Sequence, residues 1–93
     1  SDLTVAFEEL EGCLPAEDSA VRTLEEQEFS RVLNAFLRKL TRQSRTYFIR
    51  RYWYGESIRE IADACGAGEE KVKSSLFRAR QRLRTVLEKE GML

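Results

Sequence analysis

The stretch Ser57-Ile-Arg-Glu-Ile-Ala62-Asp-Ala-Cys-Gly66-Ala-Gly-Glu-Glu-Lys-Val72-Lys-Ser-Ser-Leu76-Phe-Arg-Ala79 decides the fold. Ser57 is suited to cap a short helix, Ile58–Cys65. Glu60, at its third position, completes a capping box, in which each side chain bonds the other residue's backbone amide. Gly66 then ends that helix, and a second one starts near Gly68 or Glu69 and runs to about Glu90. Val72, Leu76, Ala79, Leu83, Val86 and Leu87 recur along one face of it. A short helix, a tight turn and a longer helix crossing the first steeply make a helix-turn-helix. The crossing needs a small residue where the helices touch, and Ala62 meets that need. The turn favours a residue without a β-carbon, and Gly66 stands four residues later. The second helix must bury a branched aliphatic near its start, which Val72 supplies. Ile58, Ile61, Cys65 and Leu76 complete the small core.

Moving upstream, Thr41 or Ser44 is suited to start a helix that ends near Tyr54, with Gly55 as its stop. It holds Tyr47, Phe48, Tyr52, Trp53 and Tyr54. Most of these are expected in the core, with one left exposed as an anchor for a partner. A further helix spans about Leu24 to Leu40, capped by Thr23 with Glu26 as the reciprocal partner. Phe29, Val32, Leu33, Phe36, Leu37 and Leu40 make its apolar stripe. Its acids cluster early and Arg38 and Lys39 come last, as the helix dipole favours. Residues 1–22 read as an acidic, partly ordered arm, and residues 23–93 as the folded domain. In the arm, Leu3, Val5, Phe7, Leu10 and Leu14 suit one or two short amphipathic turns, interrupted by Gly12, Pro15 and the acidic stretch Ala16–Ala20. The fold class is therefore all-α. We expect a small bundle of about four helices with a C-terminal helix-turn-helix of the winged-helix-like type.

Composition narrows the function. With 93 residues, 42% hydrophobic and 34% charged, the chain suits one small soluble domain. No apolar run approaches the about 20 residues that cross a bilayer, so no membrane association and a cytoplasmic location are expected. Cys13 and Cys65 are far apart and there is no histidine, which excludes zinc sites of ordinary spacing. Cys65 lies on the apolar side of its helix and reads as a small buried thiol. No glycine-rich phosphate loop or carboxylate pair is recognisable, so no catalytic residue, metal or cofactor is expected, and the chain does not read as an enzyme.

The formal net charge is zero, yet it is unevenly spread. Residues 1–40 hold nine acids and four bases, while residues 41–93 hold twelve bases and seven acids. From Lys71 to Arg84 there are six bases (Lys71, Lys73, Arg78, Arg80, Arg82, Arg84) and no acid. A basic half points to a polyanion, and bases on a helix-turn-helix can neutralise phosphates. At 100° per residue, Glu70, Lys73, Ser74, Phe77, Arg78 and Gln81 lie away from the apolar stripe. Lys73 and Arg78 can reach guanine edges or phosphates, Ser74 a base edge, and Phe77 a thymine methyl. The plainer alternative is a solvated basic face. Ser57 caps its helix in any case, and the free amides beside it also suit a phosphate.

Here the chain resembles a known family. Arg51-Tyr-Trp-Tyr-Gly-Glu-Ser57-Ile-Arg-Glu-Ile-Ala62 is similar to the start of region 4 of sigma-70 factors. Val72-Lys-Ser-Ser-Leu-Phe-Arg-Ala-Arg80, followed by Leu83-Arg84, is similar to its recognition helix, and the likeness is nearest to the extracytoplasmic-function type. It covers about residues 24–90. The resemblance implies promoter DNA at the minus-35 element as one partner and the β-flap of core RNA polymerase as another. An anti-sigma factor is a further partner it allows. Carried over by position, Lys73, Ser74, Phe77 and Arg78 would meet the DNA, with Ser57 and Lys71 near phosphates. Leu40 and the aromatic helix would match the polymerase-facing part. Two departures stand out. Ser75 replaces a frequent arginine, removing one basic contact, and Ala67-Gly68 replaces an aliphatic-serine pair, weakening the cap. A second region that would melt the minus-10 element is not visible, so the chain reads as a fragment ahead of a free-standing region 4, with residues 1–22 resembling the acidic linker.

Two rival readings remain. A response-regulator output domain or small repressor would share the motif but bind as a dimer to two half-sites. A protein-only interaction module would lack the steep salt dependence of phosphate contacts.

Overall fold

The computed structural model describes residues 2–14 and 22–93, and of residues 3 and 22–24 the backbone alone. It contains five helices and no strand among the described residues: α1 Asp2–Glu11, α2 Arg22–Lys39, α3 Arg42–Tyr52, α4 Ile58–Cys65 and α5 Glu69–Lys89. The four helices expected from the sequence are α2 to α5, with ends displaced by about two residues at most, the ordinary scatter of helix boundaries.

The local signals act as their chemistry dictates. Thr41 caps α3, its side-chain oxygen accepting from the Ser44 amide at 3.1 Å. The chain leaves α3 through Trp53 and Tyr54, whose amides both donate to the Ile49 carbonyl, and turns at Gly55, where φ is 66°. α2 begins at Arg22, so Thr23 lies inside it. The expected Thr23 cap, like the Pro15 and Ala16–Ala20 interruption, lies outside the described residues.

One core joins α2 to α5. Val32, Phe36 and Leu40 from α2 and its end meet Tyr47 and Phe48 of α3, Ile61 and Ala62 of α4, and Val72, Leu76, Ala79, Leu83 and Leu87 of α5. Phe48 is its aromatic centre, edge-on to Phe36 at 5.7 Å and to Tyr52 at 4.7 Å, separations at which edge-to-face rings attract.

The N-terminal segment differs from the expected one or two turns. Residues Asp2–Glu11 form a ten-residue helix packed on α3. Its order has a physical cause 42 residues away. Arg51 has a buried side chain, and its guanidinium donates to Glu9 at 3.1 and 3.2 Å and to the Glu56 carbonyl at 2.8 Å. A buried guanidinium without a carboxylate is costly, so Arg51 draws α1 onto α3. Ala6 and Cys13 are buried by this docking.

Candidate nucleic-acid interface

The helix-turn-helix is assembled from α4, the turn Gly66–Gly68 and α5. Gly66 adopts φ 64° and ψ 36°, and its amide donates to the Ala62 carbonyl. Ala67 donates to the same carbonyl at 3.0 Å, so two bonds close the end of α4. Ala62, 4% exposed, and Val72, fully buried, stand at the crossing as their sizes require. Gly68 caps α5 with extended backbone and no side-chain bond, which is the weaker cap that glycine provides.

Each expected contact residue can now be placed. Lys71, Lys73, Ser74, Phe77 and Arg78 are all exposed on α5, as are Glu70 and Gln81. They stand away from the stripe Val72–Leu76–Ala79–Leu83–Leu87, which is no more than 2% exposed. Phe77 is 56% exposed, a large apolar surface to leave in water without a partner. Lys73 pairs with Glu70 at 3.5 Å across one turn. Both are well exposed, so a phosphate can compete for the ammonium. Ser75, by contrast, is buried at 9% beside the stripe. The departure at this position therefore falls on a covered flank of α5, away from its outward face.

Ser57 lies apart from this face, at the start of α4. It forms the complete capping box: its hydroxyl oxygen accepts from the Glu60 amide at 3.0 Å and its amide donates to Glu60 at 2.9 Å. Hydrogen bonds from Ser57, its backbone amide first, hold the Glu60 carboxyl below its ordinary value. The Ser57 and Glu60 amides are thus engaged within the box. The hydroxyl proton of Ser57 is the donor left for a phosphate.

A second surface lies on α3. Trp53 and Tyr54 are 53% and 73% exposed, two aromatics where the sequence suggests one. They follow the last helical residue, Tyr52, and so leave the buried face. Tyr54 borders an open groove with Arg42, Arg45, Thr46, Ile49, Arg50 and Glu56. Arg50 and Glu56 pair across it at 3.0 Å, and that hydrogen bond holds the Arg50 guanidinium above its ordinary value. Leu40, expected near this face, is instead a core residue at 4% exposure. It follows Lys39, the last residue of α2, and its position continues the apolar stripe of that helix inward.

Sequence reasoning missed a polar network behind the recognition surface. Arg80 donates to the Tyr52 hydroxyl at 2.7 Å, and that hydroxyl donates to Glu9 at 3.1 Å. The Arg80 guanidinium also lies 5.9 Å from the centre of the Phe77 ring, within the range of cation–π attraction. Its members come from α1, α3 and α5, and no periodicity within one helix reveals such a meeting.

Among the described residues no helix is long and apolar enough to cross a membrane. Among curated proteins, none matches the chain. A family model described as "Sigma-70, region 4" matches residues 30–83.

Proposed function

The chain belongs to the sigma-70 region 4 family, and from that premise we propose that it reads the minus-35 element of a promoter with α5 and docks on the β-flap of RNA polymerase. The family assigns it the coarser role without further argument: a DNA-binding domain of transcription initiation that works with RNA polymerase.

One observation carries the finer reading. The outward face of α5 presents Lys73, Ser74, Phe77 and Arg78 together, exposed, in a run without an acid from Lys71 to Arg84. Bases supply the salt-dependent phosphate attraction, while a serine, an exposed ring and a guanidinium can address base edges and thymine methyls. Lys71 and Ser57 serve as flanking phosphate contacts. Exposed Trp53 and Tyr54 beside the α3 groove support a protein partner on a different surface. A domain of this kind binds and positions, and we assign it no catalysis. The extracytoplasmic-function type, an anti-sigma partner and cytoplasmic action belong to the same proposal, through the resemblance of the Arg51–Ala62 and Val72–Arg80 motifs.

The test is capture of the folded domain by an isolated β-flap fragment, alongside a DNA gel-shift salt series. Flap binding together with a steep loss of DNA binding in salt is the expected result. A folded domain that shifts DNA as a dimer and ignores the flap would instead be a free-standing regulator.

A further inference from the structure

Residues 2–14 carry Asp2, Glu8, Glu9 and Glu11 and no base. This acidic segment lies against the helix with the densest positive charge. Arg80 Nη1 is 3.9 Å from Glu9 Oε1 and donates to the Tyr52 hydroxyl that bonds the same oxygen. One turn further along α5, Arg84 Nη1 donates to the Gly12 carbonyl at 3.1 Å. Residues 73, 77, 80 and 84 follow three- and four-residue steps, so Lys73, Phe77, Arg80 and Arg84 share one side of α5. The acidic segment thus occupies the C-terminal continuation of a stripe whose N-terminal part is open to solvent.

We propose that α1 is a displaceable electrostatic cover on the recognition helix. Docked, it ties up Arg80 and Arg84 and lays its carboxylates beside the DNA-facing surface. Displaced, it frees both guanidiniums for DNA phosphates. The inference rests on the reading of α5 as the DNA-contacting helix.

The contact is built to be reversible. Ala6 is the one fully covered side chain described within α1, while Val5 and Phe7 remain 45% and 63% exposed. Ion pairs and polar bonds therefore do most of the holding, and such bonds weaken with salt and with competing charge. A DNA duplex offers one phosphate charge per roughly 1.7 Å of its axis, a dense competitor for the same guanidiniums. Arg51 is not left bare when Glu9 departs, because the Glu56 carbonyl still accepts from it at 2.8 Å and water reaches the vacated side.

The test is the affinity of the 93-residue chain for a short mixed-sequence DNA duplex, measured across a salt series. Glu9→Gln keeps an acceptor for Arg51 and removes the charge that faces Arg80. It is expected to tighten low-salt binding roughly two- to fivefold, the range of a single exposed charge pair. The salt dependence should steepen by about one in slope, as for one further phosphate neutralised. Ala6→Gln overfills the buried contact without changing any charge and should tighten binding likewise. Glu8→Gln removes the same charge from an exposed position of the same helix and should have the smaller effect. Equal gains from Glu8→Gln and Glu9→Gln would reduce the effect to net charge and overturn the cover. So would unchanged or weaker binding by folded Glu9→Gln and Ala6→Gln. Loss of fold in both, seen by circular dichroism, would make α1 an integral part of the core and also overturn it; if one alone unfolds, the other decides. Arg78→Ala separates the two ideas. If it leaves binding unchanged, the DNA-facing assignment of α5 falls and the cover with it. If it weakens binding while the α1 variants gain nothing, the cover alone falls.

Discussion

Gly66 sets the angle between α4 and α5, and its cost of replacement can be worked from geometry. Its φ of 64° lies in the left-handed region, and a β-carbon built there meets no atom within 4 Å. A substitution is therefore penalised by backbone strain alone, with no clash to add. For an L-residue that strain is roughly 1–2 kcal/mol. Losing glycine also stiffens the unfolded chain, which returns about 0.4–1 kcal/mol. Gly66→Ala should then cost about 1 kcal/mol, a fall in Tm of roughly 4–8 °C for a domain of this size. Gly66→Asn should cost less, because its side chain tolerates the left-handed region. Gly66→Val should cost more, roughly 2–3 kcal/mol, because a branched β-carbon is poorly accommodated at positive φ. Denaturant unfolding of the four proteins should rank them Gly, Asn, Ala, Val. Wild-type stability for Gly66→Ala would show that the turn is not left-handed. A loss above about 4 kcal/mol for Gly66→Ala would show a steric contact that the open surroundings do not contain.

Three further outcomes follow from the same structure. Arg78→Ala should weaken promoter binding by about 1–3 kcal/mol if the guanidinium reads a base, with unchanged melting because the residue is exposed; unchanged affinity from a folded variant removes Arg78 from the contact set. Tyr47 is 1% exposed and its hydroxyl has no hydrogen-bond partner among the described residues, so Tyr47→Phe should leave stability unchanged or raise it by up to about 1 kcal/mol; a clear loss on chemical unfolding would reveal a partner. Burial, partly offset by the Arg80 hydrogen bond, pushes the Tyr52 phenol up to about 12. Its folded pKa thus lies above the unfolded value of 10.0. Its contribution is present in full below about pH 10 and is lost as pH rises from there through about 12. Unfolding free energy should fall less steeply across that window in Tyr52→Phe than in wild type, and equal slopes would contradict the assignment.

The helix-turn-helix was readable because each of its signals is local. The capping box at Ser57 and Glu60, the left-handed Gly66 and the stripe from Val72 to Leu87 each need only neighbours within one or two turns to act. The same holds for the outward face of α5, whose residues follow from the angle of an ideal helix. The order of α1 was not readable. It depends on Glu9 meeting Arg51 and Tyr52, and nothing in the sequence near Arg51 marks it as a buried base. Its neighbours Arg50 and Tyr52 suggest an amphipathic rim. The exposure of Trp53 and Tyr54 was missed for a related reason: the pattern of aromatics says that many rings are present, but the end of α3 at Tyr52 decides which of them still point inward. Leu40 shows the reverse, an apolar residue whose periodicity with Val32 and Phe36 predicts the core more reliably than its position in the family motif predicts a docking face.

The zero net charge of the chain misleads in an instructive way, because it is a property of the fold and not of the surface that meets DNA. α5 has three faces. The first, from Val72 to Leu87, is sealed in the core. The second carries Lys73, Ser74, Phe77 and Arg78 into solvent. On the third, Arg80 and Arg84 bond to α1, α3 and the segment after α1. Substitutions on the first should change stability, and those on the second should change binding with stability intact. Those on the third should change both, and in opposite directions if the acidic helix is a cover: loosening α1 lowers stability while it raises DNA affinity. That opposition is hard to produce by accident. A merely structural helix, once loosened, would lower both together. The sign of the correlation between melting temperature and DNA affinity across Glu9 and Ala6 variants therefore separates a regulatory contact from a packing contact.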